Sequence, residues 1–173
     1  MKRSLALGIL TVALAFACKS KDGLSANGNN SLSKNANESA ALIEKDVTIT
    51  ITDDPANPGK CKIALPVPDP VKLKRNQDKV KWCIVYNCRA KGATVTLDNF
   101  QNTGDPAIKN PFGDNSDADN RFVFSGLDPG KKDCDKSSKL ATGAIALYKY
   151  RIRVTGPGGE LLGELDPGVE IGP

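Results

Sequence analysis

The chain has 173 residues and a formal net charge of +4, which falls to +2 if Lys2 and Arg3 are removed with a leader. So small a net charge gives no support for nucleic-acid binding, which relies on a concentrated basic surface. The sequence contains no histidine, and this excludes serine or cysteine nucleophiles that a histidine would activate.

Residues 1–17 have the features of a secretory signal peptide. Met1–Arg3 is a short basic segment, Leu5–Phe16 is apolar, and the small residues Ala15 and Ala17 precede a cleavage position. The apolar run has about 12 residues, whereas a helix needs roughly 20 to span a bilayer. The segment therefore predicts export and not a membrane-spanning anchor.

Two kinds of cleavage fit the end of this leader. Ala15-Phe16-Ala17 fits the small-x-small rule of ordinary signal peptidase, and with Cys18 it resembles a bacterial lipobox, in which the cysteine carries lipid. Ordinary cleavage would leave five cysteines, an odd number, in an oxidising space, whereas lipidation of Cys18 leaves four. We therefore expect a lipid anchor on Cys18. Because Lys19 and not aspartate follows, we expect an outer-membrane or other cell-envelope location.

Residues 18–43 are predicted to form a flexible, lipidated tether. Between Lys19 and Ala40 the chain is rich in Asn, Ser, Lys and Gly and contains only two leucines, so it cannot bury enough apolar surface to fold. A flexible coil of about 22 residues reaches roughly 25 Å on average. That distance would hold a folded domain, predicted at residues 44–173, clear of the lipid headgroups.

The domain shows short strand patterns between turn signals. Val47, Ile49 and Ile51 alternate with threonines, and alternate residues from Val80 to Tyr86 form one apolar face. Further strands are expected at Cys61–Leu65, Val71–Leu73, Ala93–Leu97, Arg121–Phe124, Ala144–Thr155 and Leu161–Ile171, with long loops at residues 101–120 and 126–142. Seven or eight strands without a helical stripe predict an all-β, two-sheet sandwich with Greek-key connections.

Two groups of basic residues alternate with apolar ones. They are Lys72, Lys74 and Arg75 in one segment and Lys149, Arg151 and Arg153 in another. Alternation of this kind indicates the exposed face of a strand, and a solvated surface is the simplest interpretation.

Three segments carry a resemblance to a known fold. Pro70–Leu73 with Asp78–Trp82 is similar to a pre-strand segment followed by a V-x-W strand. Gly143 with Tyr148–Tyr150 is similar to a late G-x-Y-x-Y/F strand, and Leu165–Ile171 resembles the closing strand of relatives that lack metal. Together they resemble the cupredoxin-like fold over about half of the domain. An immunoglobulin-like sandwich would show similar alternation and is the alternative.

The copper site of that family does not carry over to this sequence. A mononuclear type 1 copper site needs two histidines, a cysteine and usually a methionine, and this chain has no histidine and only Met1. Arg151 and Ile152 stand where the resemblance would place the ligand cysteine. The resemblance therefore implies the fold without type 1 copper or copper-based electron transfer.

Four cysteines fall within the predicted domain: Cys61, Cys83, Cys88 and Cys134. Their spacing fits neither a zinc site nor a C-x-x-C redox pair, so two structural disulfides are expected. Of three possible pairings, the strand assignment favours Cys61–Cys83 and Cys88–Cys134, although Cys83 falls on the strand face opposite Trp82.

One acidic loop is a candidate calcium site. Asp114, Asp117 and Asp119 lie among asparagines, and such oxygen atoms suit calcium, but the Gly and distal Glu of an EF-hand loop are missing. A solvated loop is the competing interpretation.

Three functions remain open on these grounds. The first is a non-catalytic binding or structural module of the cell envelope, anchored to the membrane by lipid and contacting an envelope protein or a glycan. The second is a calcium-stabilised surface module. The third is a carboxylate-dependent hydrolase, which needs no histidine, although nothing in the sequence brings two carboxylates together. We expect the first, and hence no enzyme activity and no cofactor.

Overall fold

The computed structural model describes residues 41–67, 69–107, 110–112, 120–135 and 138–173. The predicted signal peptide and Cys18 lie outside the described residues, as do Asp114, Asp117 and Asp119 of the candidate calcium loop. The described residues belong to one unit, Glu38–Pro173. The first strand begins at Ile43, one residue before the predicted start of the domain.

The described part of the chain is all β. Its eleven strands are β1 (Ile43–Asp53), β2 (Cys61–Ile63), β3 (Val71–Lys74), β4 (Asp78–Asn87), β5 (Ala93–Asn102), β6 (Phe122–Leu127), β7 (Lys131–Cys134), β8 (Lys139–Leu140), β9 (Ala146–Thr155), β10 (Leu161–Leu165) and β11 (Gly168–Gly172). None of these residues forms a helix, and so no described segment offers a helix that could cross a bilayer.

The strands form two sheets that pack as a sandwich. The five-stranded sheet has the order β2-β1-β4-β7, with β8 also paired to β4. The six-stranded sheet has the order β3-β11-β9-β5-β6, with β10 also paired to β9. The predicted all-β, two-sheet sandwich is thereby confirmed.

Both sheets contain parallel as well as antiparallel strand pairs. This observation distinguishes between the two sandwich types expected from the sequence. β1 runs parallel to β4, in register from Ile43 opposite Asp78 to Thr52 opposite Asn87, and β3 runs parallel to β11. An immunoglobulin-like sandwich consists of two antiparallel sheets. The parallel pairs therefore favour the cupredoxin-like alternative.

The strand count exceeds the predicted seven or eight for two reasons: β7 and β8 have no sequence signal of their own, and the predicted Leu161–Ile171 segment forms two strands, β10 and β11. β7 and β8 contain four and two residues, whereas the short strand β2 lies within the predicted Cys61–Leu65. The expectation that residues 126–142 form a loop is wrong at β7 and β8, both of which pair with β4. Lys131–Cys134 lacks apolar alternation, and its strand conformation follows from backbone pairing with a longer neighbour.

The core lies between the two sheets. The predicted apolar face of β4 is confirmed, since Val80, Trp82, Ile84 and Tyr86 are fully buried. Trp82 contacts Tyr150 of the opposite sheet, with ring centroids 5.3 Å apart. Burying a large apolar side chain of this kind contributes about 1.5–3 kcal/mol, so this face accounts for a large part of the stability of the sandwich.

All three tyrosines are buried, but their hydroxyl groups differ. Tyr86 donates a hydrogen bond to the Ala90 carbonyl at 2.8 Å, and Tyr148 donates to the Ala144 carbonyl at 3.0 Å. The Tyr150 hydroxyl is buried and has no hydrogen-bond partner in the described part of the chain. Burial raises the pKa of all three phenols above the ordinary value.

We expect Tyr150→Phe to raise the free energy of unfolding by up to about 1 kcal/mol, because a buried hydroxyl without a partner is destabilising. The matched variants Tyr86→Phe and Tyr148→Phe each remove a hydrogen bond and should lower it by about 1 kcal/mol. Urea denaturation of the three variants measures the difference. A loss in Tyr150→Phe as large as that in Tyr148→Phe would contradict the assignment of Tyr150 as unpaired.

The four cysteines form two disulfides, as predicted, but the predicted pairing is wrong. The bonds are Cys61–Cys88 and Cys83–Cys134. Cys83 lies on the outer face of β4, opposite Trp82, and faces Cys134 directly across the antiparallel pair of β4 and β7. Because β7 has no strand signal, this neighbour could not be identified from the sequence. Two disulfides in one domain are typical of proteins that fold in an oxidising, exported compartment.

Candidate functional site

The outer face of the six-stranded sheet is polar across three adjacent strands, β9, β5 and β6. On β5 the buried residues Val95 and Leu97 alternate with outward-facing threonines. On β9 the buried tyrosines alternate with the predicted basic residues, and Lys149 is exposed while Arg151 and Arg153 are half-buried. The predicted exposed strand face of Lys149, Arg151 and Arg153 is thereby confirmed.

Two open grooves cross this face. The first, here called the bulge groove, has a volume of about 470 Å³ and is lined by polar side chains including Asp98, Asn99, Arg121 and Arg151. The second, the strand groove, has a volume of about 630 Å³ and is lined by residues including Thr94, Thr96, Ser125, Arg153 and Thr155. Asp98 and Arg121 line both grooves, so the two are continuous.

A β-bulge in β5 shapes the bulge groove. The register between β5 and β9 shifts between Asp98 and Gln101, and Asn99 has φ of 57°. Asparagine tolerates this left-handed conformation better than most residues. The bulge keeps Asn99 exposed and turns Phe100 inward, where its ring stacks on Tyr150 at 4.9 Å. Bulges commonly redirect side chains next to functional sites.

The arginines on this face differ in their partners. Arg151 places Nε and Nη2 each 2.9 Å from Asp98 Oδ1, and Arg153 Nε lies 3.3 Å from Glu164 Oε2. Arg121 is exposed and forms no ion pair with any residue that the structure describes. Partly exposed pairs of this kind contribute little, about 0–1 kcal/mol, so a ligand can compete for Arg151 and Arg153 at small energetic cost.

Sequence reasoning identified only part of this site. It placed Arg151 and Arg153 on an exposed strand face but did not connect them to Asp98, Asn99 or Arg121. Asp98 and Arg151 are 53 positions apart, and they meet because β5 and β9 are neighbours. The one local signal for Arg121 was the predicted strand Arg121–Phe124, of which it is the first residue.

The residues do not fit the type 1 copper site of the family that the sequence resembles. The four domain cysteines are held in disulfides and offer no thiolate, and the chain has no histidine. At the positions expected for the ligand cysteine, Arg151 pairs with Asp98 and Ile152 is buried in the core. Across residues 41–173, apart from the gaps given above, no three acidic or cysteine side chains group as metal ligands.

The solved structures that resemble this chain at a distance include two copper oxidases. A multicopper oxidase is 13% identical with a TM-score of 0.38, and the match covers 76% of this chain and 45% of that one. A blue copper oxidase from Nitrosomonas europaea is 14% identical with a TM-score of 0.31, covering 78% and 45%. The chain thus spans less than half the length of either. No protein-family model and no curated protein matches it. With scores this low, the fold assignment rests on the strand pairing.

Proposed function

We propose that this protein is an exported, lipid-anchored and non-catalytic binding module of the cell envelope. The observation that carries the binding role is the continuous pair of grooves on the six-stranded sheet, with three arginines and one exposed asparagine on its surface. Arg121 contributes a charge that no described residue of the chain neutralises. Such a surface suits a polar ligand bound from solution or from the envelope.

The cysteine pairing supports the lipid anchor on Cys18. The disulfides Cys61–Cys88 and Cys83–Cys134 use the other four cysteines of the chain. Cys18 then has no disulfide partner within the chain, and lipidation accounts for it in an oxidising compartment. The lysine after Cys18 favours an outer-membrane location.

The composition of the grooves supports binding over hydrolysis. The described lining contributes one carboxylate, that of Asp98, and it is engaged by Arg151. Glycoside hydrolysis by carboxylates uses a pair of them, one as acid and one as base or nucleophile. The Asp98 carboxylate holds the Arg151 guanidinium in place. A single carboxylate that is paired in this way is poorly suited to proton transfer.

We expect Cys18→Ser to move the exported protein from the membrane fraction to the soluble fraction, because the variant has no thiol to carry lipid. The matched control is Ser20→Ala, which changes a nearby tether residue and should stay with the membrane. Intact mass spectrometry of the wild-type protein should show lipid on Cys18. A free Cys18 thiol, or a Cys18→Ser variant that stays membrane-bound, would rule out the anchor.

A further inference from the structure

We propose that the continuous bulge and strand grooves bind an extended acidic glycan, a polysaccharide that carries carboxylate groups. This inference rests on the proposed binding function and names the class of ligand. It is carried by the length of the grooves, the free donors of the arginines and the hydroxyl groups between them.

The length of the combined groove suits a polymer. Its lining runs from Gly92, just before β5, along that strand to Asn99, and an extended segment of that length covers roughly 23 Å. The two volumes, about 470 and 630 Å³, exceed the space that one sugar unit fills. The combined groove is open to solvent, so a polysaccharide can enter it from the side without a free end.

The arginines supply the charge recognition. A guanidinium group has five N–H donors in a planar fork that matches a carboxylate. Arg151 uses Nε and Nη2 on Asp98, which leaves its other N–H groups for a ligand. Arg121 has its whole fork available, since no described residue pairs with it. Two carboxylate groups on neighbouring sugars would therefore find separate guanidinium partners.

The floor between the arginines supplies hydrogen bonds for sugar hydroxyls. Thr94, Thr96, Ser125 and Thr155 place short hydroxyl side chains in the strand groove. Among the described lining residues the aromatic ring is that of Phe100, which is only 3% exposed. Neutral sugars are usually held by stacking on exposed rings, so this lining favours a charged glycan over a neutral one.

The two acidic side chains on this face distinguish a glycan from a nucleic acid. Asp98 and Glu164 lie among the arginines of this face, and their charges would repel the closely spaced phosphates of a nucleic-acid backbone. A glycan that carries carboxylates also has hydroxyl groups, which can donate hydrogen bonds to the two acidic side chains. The pattern of alternating charge therefore fits the glycan better.

Polygalacturonate, dextran and oligo-dT are suitable probes for the processed full-length protein in detergent micelles. By isothermal titration calorimetry we expect binding of polygalacturonate that weakens as NaCl is raised, and no binding of dextran. Arg121→Gln should weaken binding about tenfold or more, since a charged hydrogen bond is lost. The matched control Arg75→Gln makes the same change away from both grooves and should bind as the wild type does.

Four outcomes would overturn the inference. They are binding of polygalacturonate that is absent or no tighter than that of dextran, equal or tighter binding of oligo-dT, equal weakening by both arginine variants, and a preference for dextran sulfate, added as a sulfated control polymer, over polygalacturonate. Thermal unfolding of Arg121→Gln should match the wild type, so that a folding defect is not mistaken for lost binding. If isolated envelopes retain the Cys18→Ser variant, which no lipid can hold there, but immobilised polygalacturonate does not, the ligand class fails and the binding module stands. If neither retains it, both fail.

Discussion

Replacing Cys61 and Cys88 together by alanine should lower the free energy of unfolding by about 3–4 kcal/mol. The bond joins residues 27 positions apart, and releasing a loop of that length gives the unfolded chain about this much additional entropy. Both cysteines are buried in the core, 5% and 1% exposed, so the double variant also loses packing. The expected result is a large fall in the denaturation midpoint, measured by urea unfolding under oxidising conditions.

Removal of the second disulfide should have an effect on stability of similar size. Cys83 and Cys134 are 51 positions apart, and their replacement by alanine should lower the free energy of unfolding by about 4 kcal/mol by the same reasoning.

Direct peptide mapping tests the pairing of the four cysteines itself. Trypsin leaves Cys83 and Cys88 on one peptide, Trp82–Arg89, so chymotryptic cleavage after Tyr86 is needed to separate them. A linked peptide joining Cys61 to Cys83 would contradict the structure.

Asp78→Asn should lower the free energy of unfolding by about 2–3 kcal/mol, the next largest effect we expect. Asp78 is 1% exposed. Its Oδ2 accepts hydrogen bonds from the Lys74 backbone N–H at 2.8 Å and from Lys45 Nζ at 2.6 Å. The carboxylate thus joins the start of β4 to β1 and to the end of β3. Asparagine keeps the shape but loses the charge that Lys45 pairs with. Chemical denaturation at neutral pH measures the loss.

The effect of Asp78→Asn should depend on pH. Burial raises the pKa of Asp78, but the hydrogen bonds from Lys45 and Lys74 outweigh this and hold the pKa below its usual value. A lowered pKa in the folded state stabilises the protein above the unfolded-state pKa of about 3.9 and is lost as pH falls through the folded-state value. The difference in the free energy of unfolding between wild type and Asp78→Asn should therefore be largest at neutral pH and should decrease below about pH 4.

Asp54→Asn is the matched control for this prediction. Asp54 also accepts two hydrogen bonds, from the Ala56 backbone N–H and from Asn57 Nδ2, but in an exposed turn. We expect little change in stability from it. Lys45→Met should weaken the protein in combination with Asp78→Asn by less than the sum of the two single effects. Additive losses, or a pH-independent difference, would contradict the ion pair as the cause.

The sequence predicted the fold class because the relevant signal is local. Val80, Trp82, Ile84 and Tyr86 alternate with polar or outward-facing residues, and a strand with one buried side is the structure that fits such a period. The same reasoning placed Arg151 and Arg153 on an outer face. The resemblance at Gly143 also acquires a physical reason, since a Cβ there would lie 2.7 Å from Pro111 Cα.

The all-β class, the presence of two disulfides, the exposed basic face and the lack of histidine ligands for type 1 copper could all be predicted from the sequence. Each of these depends on composition or on the spacing of near neighbours. The disulfide partners and the assembly of the grooves depend on strand order, which brings Cys83 to Cys134 and Asp98 to Arg151. That order is set by packing across the whole domain, and no local pattern in the chain encodes it.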